Sequence, residues 1–148
     1  MRISQKCQYA LRALFDLAVH EGRGPRRIAD IAGSQGIPPR FLEVILSQLK
    51  QGGFVRSQRG AEGGYALARA ARDLNVGEIV RFVEGPLHPL AGRRGGRAAG
   101  AGAGEDLRVF QGLWADVERV LAELLDSRTF QDLVEEERRS APAVDFVI

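Results

Sequence analysis

This 148-residue sequence predicts a mainly α chain with one small β-hairpin and a long helix towards the C-terminus. Three observations predict it. Within residues 1–72, three stretches of helical apolar periodicity precede two β-prone pieces around a glycine-rich turn. Residues 105–126 carry an apolar seam at alternating steps of three and four. The charges also divide: residues 1–72 hold twelve Lys/Arg against five Asp/Glu, a balance of +7, and residues 73–148 hold nine against fourteen, a balance of −5. A basic front half suggests that one end faces a polyanion. The plain alternative is chance surface composition.

The first helix is expected over residues 6–21, because Tyr9, Ala10, Ala13, Leu14, Leu17 and Ala18 form one apolar stripe before EGRGP breaks it. A second short helix follows over 26–35, with Ile28, Ile31 and Ala32 inward, and Gly36 begins a short connection. The third helix covers PPRFLEVILSQLKQ, residues 38–51, and is expected to bury Phe41, Leu42, Ile45, Leu46 and Leu49. Proline is tolerated in a first helical turn, where the N–H groups lack partners. Gly52 and Gly53 stop this helix. FVRSQ and GYALA then read as two strands of a hairpin. Helix, helix, short turn, helix, hairpin is the order of a winged helix-turn-helix, whose helix after the turn enters the DNA major groove.

Residues 74–85 are expected to form a further helix ended by Gly85-Pro86, and 91–104, built only of Gly, Ala and Arg, a flexible loop. Leu107, Phe110, Trp114, Val117, Leu121 and Leu124 then make the seam, widened by Leu113, Val120 and Leu125. So broad an apolar face needs a partner. Packing on the first helix would supply one; a two-fold dimer is favoured for so small a chain. Thr129 is placed to cap a last short helix, with Asp132 completing a capping box. An apolar tail, APAVDFVI, ends the sequence. The expected organisation is a DNA-binding domain over 1–72, a connecting helix and loop over 73–104, and a dimerisation helix with a C-terminal segment over 105–148.

Several function classes fall away. No run of about 18 apolar residues is present to cross a membrane. Arg12 and Asp16 interrupt the first twenty residues, which rules against a signal peptide. One cysteine cannot form an internal disulfide and fits a reducing cytoplasm. An enzyme would need a nucleophile with its base, or metal ligands. There are two histidines, His20 and His88, with no metal-ligand spacing and no P-loop, and GAGAGED follows no strand. The serious rival to DNA binding is a dimeric interaction module that binds no DNA. Salt separates the two, because a protein that neutralises several phosphates loses affinity steeply as salt rises.

The candidate DNA-binding residues follow from this order. Arg40, Glu43, Ser47 and Lys50 face away from the apolar stripe of the third helix. Arginine can grip guanine and glutamate can accept from cytosine N4; a merely solvated helix face is the alternative. In the hairpin, Gly60, Gly63 and Gly64 let the turn bend and let backbone approach a phosphate. Arg59 is at the tip, where a wing can enter a narrow, negative minor groove. Arg56 and Tyr65 steady the strands or touch phosphates. Arg2, Lys6 and Arg26 or Arg27 would add backbone contacts, which position without reading sequence.

The segments MRIS.K..YALRAL.DLA at 1–18, IA..QGIPPRFLE.IL..L...G.V.S.RG..GGYALA across 28–68 and VGEIVRFVEGPL at 76–87 resemble the Rrf2 family of bacterial transcription regulators. The likeness covers most of the chain, and its wing pattern after the FLE helix is specific. It implies a homodimer on double-stranded DNA with a two-fold operator, acting as a repressor, with Glu43 as a specificity residue and Arg59 as the wing arginine. Pro38-Pro39 departs from the serine of many relatives, so a serine contact to DNA is missing. Several members hold an Fe–S cluster through three cysteines before the long helix and a fourth ligand near its start. Here residues 91–104 contain no Cys, His, Asp or Glu, and Gln111 stands where such relatives offer histidine. Gln8 and Arg12 of the first helix are poor ligands, Cys7 is the sole thiol, and His88 is the only histidine near the loop. Cluster iron usually takes four thiolate or comparable donors. No metal and no cofactor are therefore expected; a cluster-binding regulator would need cysteines this sequence lacks. VEGPLHPL, the cysteine-free loop and the apolar tail resemble the cluster-free branch, exemplified by a repressor of cysteine metabolism. That branch implies a signal received through a cysteine-biosynthesis enzyme or through a lone cysteine. Cys7 is thus a candidate redox sensor, or else a half-buried small hydrophobe.

Overall fold

The computed structural model describes residues 2–87 and 107–141. Its elements are α1 (Gln5–Val19), α2 (Ile28–Gln35), α3 (Pro39–Gln51), β1 (Val55–Gln58), β2 (Gly64–Leu67), a short 3-10 turn (Ala71–Asp73), α4 (Val76–Glu84), α5 (Leu107–Ser127) and α6 (Phe130–Ser140). The chain is mainly helical with one antiparallel hairpin, as its periodicities predict. The expected loop at 91–104, His88 and the tail at 142–148 lie outside the described residues.

Local chemistry sets the element ends. The Ser4 hydroxyl accepts a hydrogen bond from the Cys7 amide at 3.1 Å and so caps α1. Gly36 ends α2 with φ of 64°, the left-handed conformation that closes a helix at least cost in glycine. Pro39 sits in the first turn of α3. Capping boxes start both α4 (Asn75 with Glu78) and α6 (Thr129 with Asp132), the second as its sequence predicts.

One core joins both ends of the chain. Ala10, Ala13, Leu14 and Leu17 of α1 pack with Ile31 of α2, Leu42, Ile45, Leu46 and Leu49 of α3, Val55 and Leu67 of the hairpin, and Phe130 and Val134 of α6. Phe130 is the largest fully buried side chain among the described residues. The segment after α5 therefore folds back onto α1 and belongs to the first unit's core. Of the expected 105–148 unit, α6 thus packs with the N-terminal helices, and α5 carries the expected dimerisation seam. A second cluster, Cys7, Val80 and Leu87 with Leu121, Ala122 and Leu125 against it, seats α5 on α4. Arg81 grips Asp126 with both guanidinium nitrogens, at 2.6 and 2.8 Å, across the same pair of helices. A Cβ on Gly77 would collide with that Asp126 carboxylate, so this placement of the Arg81–Asp126 pair needs glycine there.

Two expected inward faces differ from the structure. Phe41 is exposed, not buried. Leu42, Ile45, Leu46 and Leu49 already fill the inner face of α3, and Phe41 falls about 100° to one side of Leu42. Its ring leans on Tyr9, centroids 6.5 Å apart. On α5 the seam is displaced. Phe110, Val117 and Leu124 are exposed as expected, but they line up with Leu113 and Val120. Trp114 and Leu121 are half-buried, and Leu121 turns into the second cluster. The side chain of Leu107 lies outside the described residues. A helix face this broad can be divided: one edge docks on α4 and the other faces solvent.

Candidate nucleic-acid interface

The exposed face of α3 is built by exclusion. Its three buried leucines and one buried isoleucine turn Arg40, Glu43, Ser47 and Lys50 outward, all exposed as predicted. The hairpin stands beside the end of this helix. Lys50 Nζ donates to the Ser57 hydroxyl at 2.7 Å, so that lysine ties α3 to β1 and orients one on the other. Arg56, on β1, and Arg59, in the turn, are both exposed. Arg2 and Lys6 are exposed at the start of the chain, and Lys6 shares the rim of a shallow recess with Arg40.

Strands β1 and β2 pair in the register Val55↔Leu67 to Gln58↔Gly64. The wing also has a third edge. Arg26 N donates to Tyr65 O and Tyr65 N to Arg26 O, each at 2.8 Å, so the segment before α2 braces β2 from its other side. This close approach explains two glycines differently from the reading above. A Cβ on Gly64 would strike the Arg26 carbonyl, and one on Gly63 would strike the Gln58 carbonyl. Both must be small because the protein's own backbone lies where a Cβ would stand. Gly60 has φ of 114°, which only glycine adopts readily. Tyr65 is half-buried against the main core and serves as the wing's anchor.

Arg26 and Arg27 do separate things, one inside the fold and one at its surface. Arg27 Nη2 donates to the Ala61 carbonyl in the wing turn at 2.5 Å. Arg26 turns inward, its Nε 3.0 Å and Nη2 3.3 Å from the carboxylate of Asp16. Asp16 is 1% exposed, the one buried charged residue among the described residues. Ser34 Oγ also donates to it, and Gln35 Nε2 approaches at 3.5 Å. Burial pushes the Asp16 carboxyl up, but the Arg26 and Ser34 hydrogen bonds and the Arg26 charge outweigh that and hold it below the usual carboxylate range. In sequence Asp16 reads only as an interruption of an apolar run. Its spacing carried the missed signal: Asp16 follows Ala13 by three, on the stripe that faces the core.

Cys7 is fully buried in the second cluster. Burial, and then the neighbouring carboxylate of Glu84, push its thiol up to about 11. Lys6 and Arg2 do not activate it. A buried, protonated thiol is a packing residue rather than a redox sensor. Glu84 itself accepts from the Ser4 amide at 2.9 Å and from the Ser4 hydroxyl, closing the start of α1 onto the end of α4.

Three helices with an exposed third, followed by a braced two-stranded wing, define a winged helix-turn-helix protein. Family comparison is specific. The family model Rrf2, described as an iron-dependent transcriptional regulator, matches residues 3–136. The chain belongs to the Rrf2 family of transcriptional regulators. CymR of Bacillus subtilis (strain 168), an HTH-type transcriptional regulator, is 33% identical over 133 residues, 90% of this chain and 89% of CymR. The solved structure of that protein, the global cysteine regulator of B. subtilis, superposes with a TM-score of 0.77 at 32% identity, covering 92% of this chain and 98% of CymR. The structure of T. potens IscR also gives 0.77, at 35% identity, covering 97% of this chain and 93% of that one. Rv1287 of Mycobacterium tuberculosis is 44% identical over 87 residues, 59% of this chain. The chain spans about half the length of that relative, 54%. The family's iron does not fit the donors present. The whole sequence has one cysteine and two histidines, the cysteine is closed in beside a carboxylate, and no group of three or more His, Cys, Asp or Glu lies together among the described residues.

Proposed function

We propose that this chain is a homodimeric, sequence-specific DNA-binding repressor of the bacterial cytoplasm, working without an Fe–S cluster of its own. The observation that carries the reading is the joining of two exposed basic elements: the outer face of α3, with Arg40, Glu43 and Ser47, and the wing bearing Arg56 and Arg59, tied by the Lys50–Ser57 bond and braced from behind by Arg26 and Arg27. In the bound state α3 enters the major groove, Arg40 and Glu43 face base edges, and Arg59 reaches the adjacent minor groove. The exposed stripe of α5 supports a two-fold dimer, which places two α3 helices on half-sites about 10 base pairs apart or a multiple of that. Likeness to CymR supports a signal from cysteine metabolism received through a cysteine-biosynthesis enzyme. The buried thiol argues against direct oxidation of Cys7 as that signal.

Arg59→Ala tests the wing. Binding of the variant to its selected operator weakens by about 10-fold or more, and the slope of log affinity against log salt becomes shallower by about 1 if Arg59 neutralises one phosphate-flanked position. A variant that binds as tightly as wild type, with the same slope, removes the wing from the interface.

A further inference from the structure

The outer face of α3 carries an apolar spot at its middle that the charge reading leaves unused. Val44 is 55% exposed and Phe41 63% exposed, while the helix's other four large apolar side chains are buried. Val44 follows Arg40 by four and precedes Ser47 by three, so along the helix it sits between two exposed polar residues. Phe41, Val44, Ile45 and Gln48 line a shallow recess of about 370 Å³, with Lys6 and Arg40 at its rim. Phe41 is held in place from α1 by Tyr9, whose hydroxyl accepts from Gln5 Nε2 at 2.8 Å. The recess is thus preformed.

An apolar recess rimmed by two cations is poorly suited to another protein's apolar surface, which would bury both charges without partners. It suits a polyanion that carries an apolar group. In the major groove the one such group is the C5-methyl of thymine. We propose that Val44, walled by Phe41, reads a thymine methyl in each half-site, while Lys6 and Arg40 hold the flanking backbone or base. The inference deepens the DNA-binding reading above and rests on it. Val44 can neither donate nor accept a hydrogen bond. It therefore discriminates by contact alone, adding selectivity at a position that Glu43 and Arg40 do not reach.

The test replaces each thymine of the selected operator by deoxyuridine, one at a time, which removes a methyl and leaves every hydrogen-bonding group intact. Affinities are measured for wild type and Val44→Ala. At one thymine per half-site, wild type loses about fourfold, the worth of burying one methyl-sized group. Val44→Ala loses a comparable factor on the unmodified site and nothing further on the deoxyuridine site. Its non-specific affinity, salt slope and thermal midpoint stay unchanged, because the side chain is on the surface. If deoxyuridine penalties are equal in both proteins at every position, or Val44→Ala binds the unmodified site as wild type does, the assignment is overturned and the spot belongs to some other surface. If wild type selects no sequence at all, the DNA-binding reading fails, and this one with it.

Discussion

Asp16→Ala lowers the stability of the fold by about 3–5 kcal/mol, the usual cost of removing one partner from a buried, hydrogen-bonded ion pair. The variant strands the Arg26 guanidinium and leaves the Ser34 hydroxyl without its acceptor. It also acts at a distance. Arg26 is the residue whose backbone pairs with Tyr65, so loosening its side chain loosens the brace behind the wing. Asp16→Asn, which keeps the shape and loses the charge, separates the two effects. At a temperature where the variant is folded, its operator affinity falls while the α3-dependent preference among operator variants persists. Chemical denaturation measures the first effect and DNA titration the second. Acid gives an independent check. A carboxyl with a depressed folded pKa contributes stability that is present above its unfolded pKa of about 3.9 and is lost as pH falls through the folded value. The wild-type advantage over Asp16→Asn therefore shrinks below about pH 4. An advantage that is constant from neutral pH down to acid unfolding removes the charged network from the account.

Val117→Glu combined with Leu124→Glu converts the protein to a monomer at low micromolar concentration. Both side chains lie on the exposed stripe of α5, the face that the proposed two-fold dimer would bury. Two carboxylates from each protomer would have to be buried against their like. Because neither side chain contributes to the core, the fold itself stays intact. Operator affinity falls roughly 100-fold or more, since the two half-sites are no longer bound by one linked molecule. Trp114→Ala has a smaller effect on association, because Trp114 is half-buried and off the stripe. Sedimentation measures the first result and operator titration the second. An intact dimer of the double variant places the interface elsewhere.

Much of this was legible in the residues. The helical stripes, the glycine turn and the Thr129–Asp132 capping box each follow from rules that act within a few residues, and the structure reproduces them within a residue or two. What was misread depends on distant partners. Phe41 shares the apolar character of its neighbours, and only the filling of the inner face by Leu42, Ile45, Leu46 and Leu49 turns it out. The α5 seam could be phased in two ways from spacing alone. Docking of Leu121, Ala122 and Leu125 on Val80 and Leu87 chooses the phase. Gly63 and Gly64 are needed for a close approach of the protein's own backbone, which the sequence does not show because the Gln58 and Arg26 carbonyls come near only in the folded hairpin. Arg26 and Arg27 are adjacent cations of the same kind, and nothing local shows that one of them meets a buried carboxylate. Asp16 and Arg26 become a pair only once α1 and the segment before α2 are folded together.

The central claim is selective DNA binding by a two-fold dimer, and selection from fragmented genomic DNA of the source organism tests it most directly. Purified, nucleic-acid-free protein is incubated with the fragments, and the retained pool is sequenced. The account predicts one enriched two-fold motif, with half-site centres about 10 base pairs or a multiple apart, and weakening of its retention as salt rises. No enrichment at low salt, from a preparation shown by sedimentation to be dimeric, would contradict it.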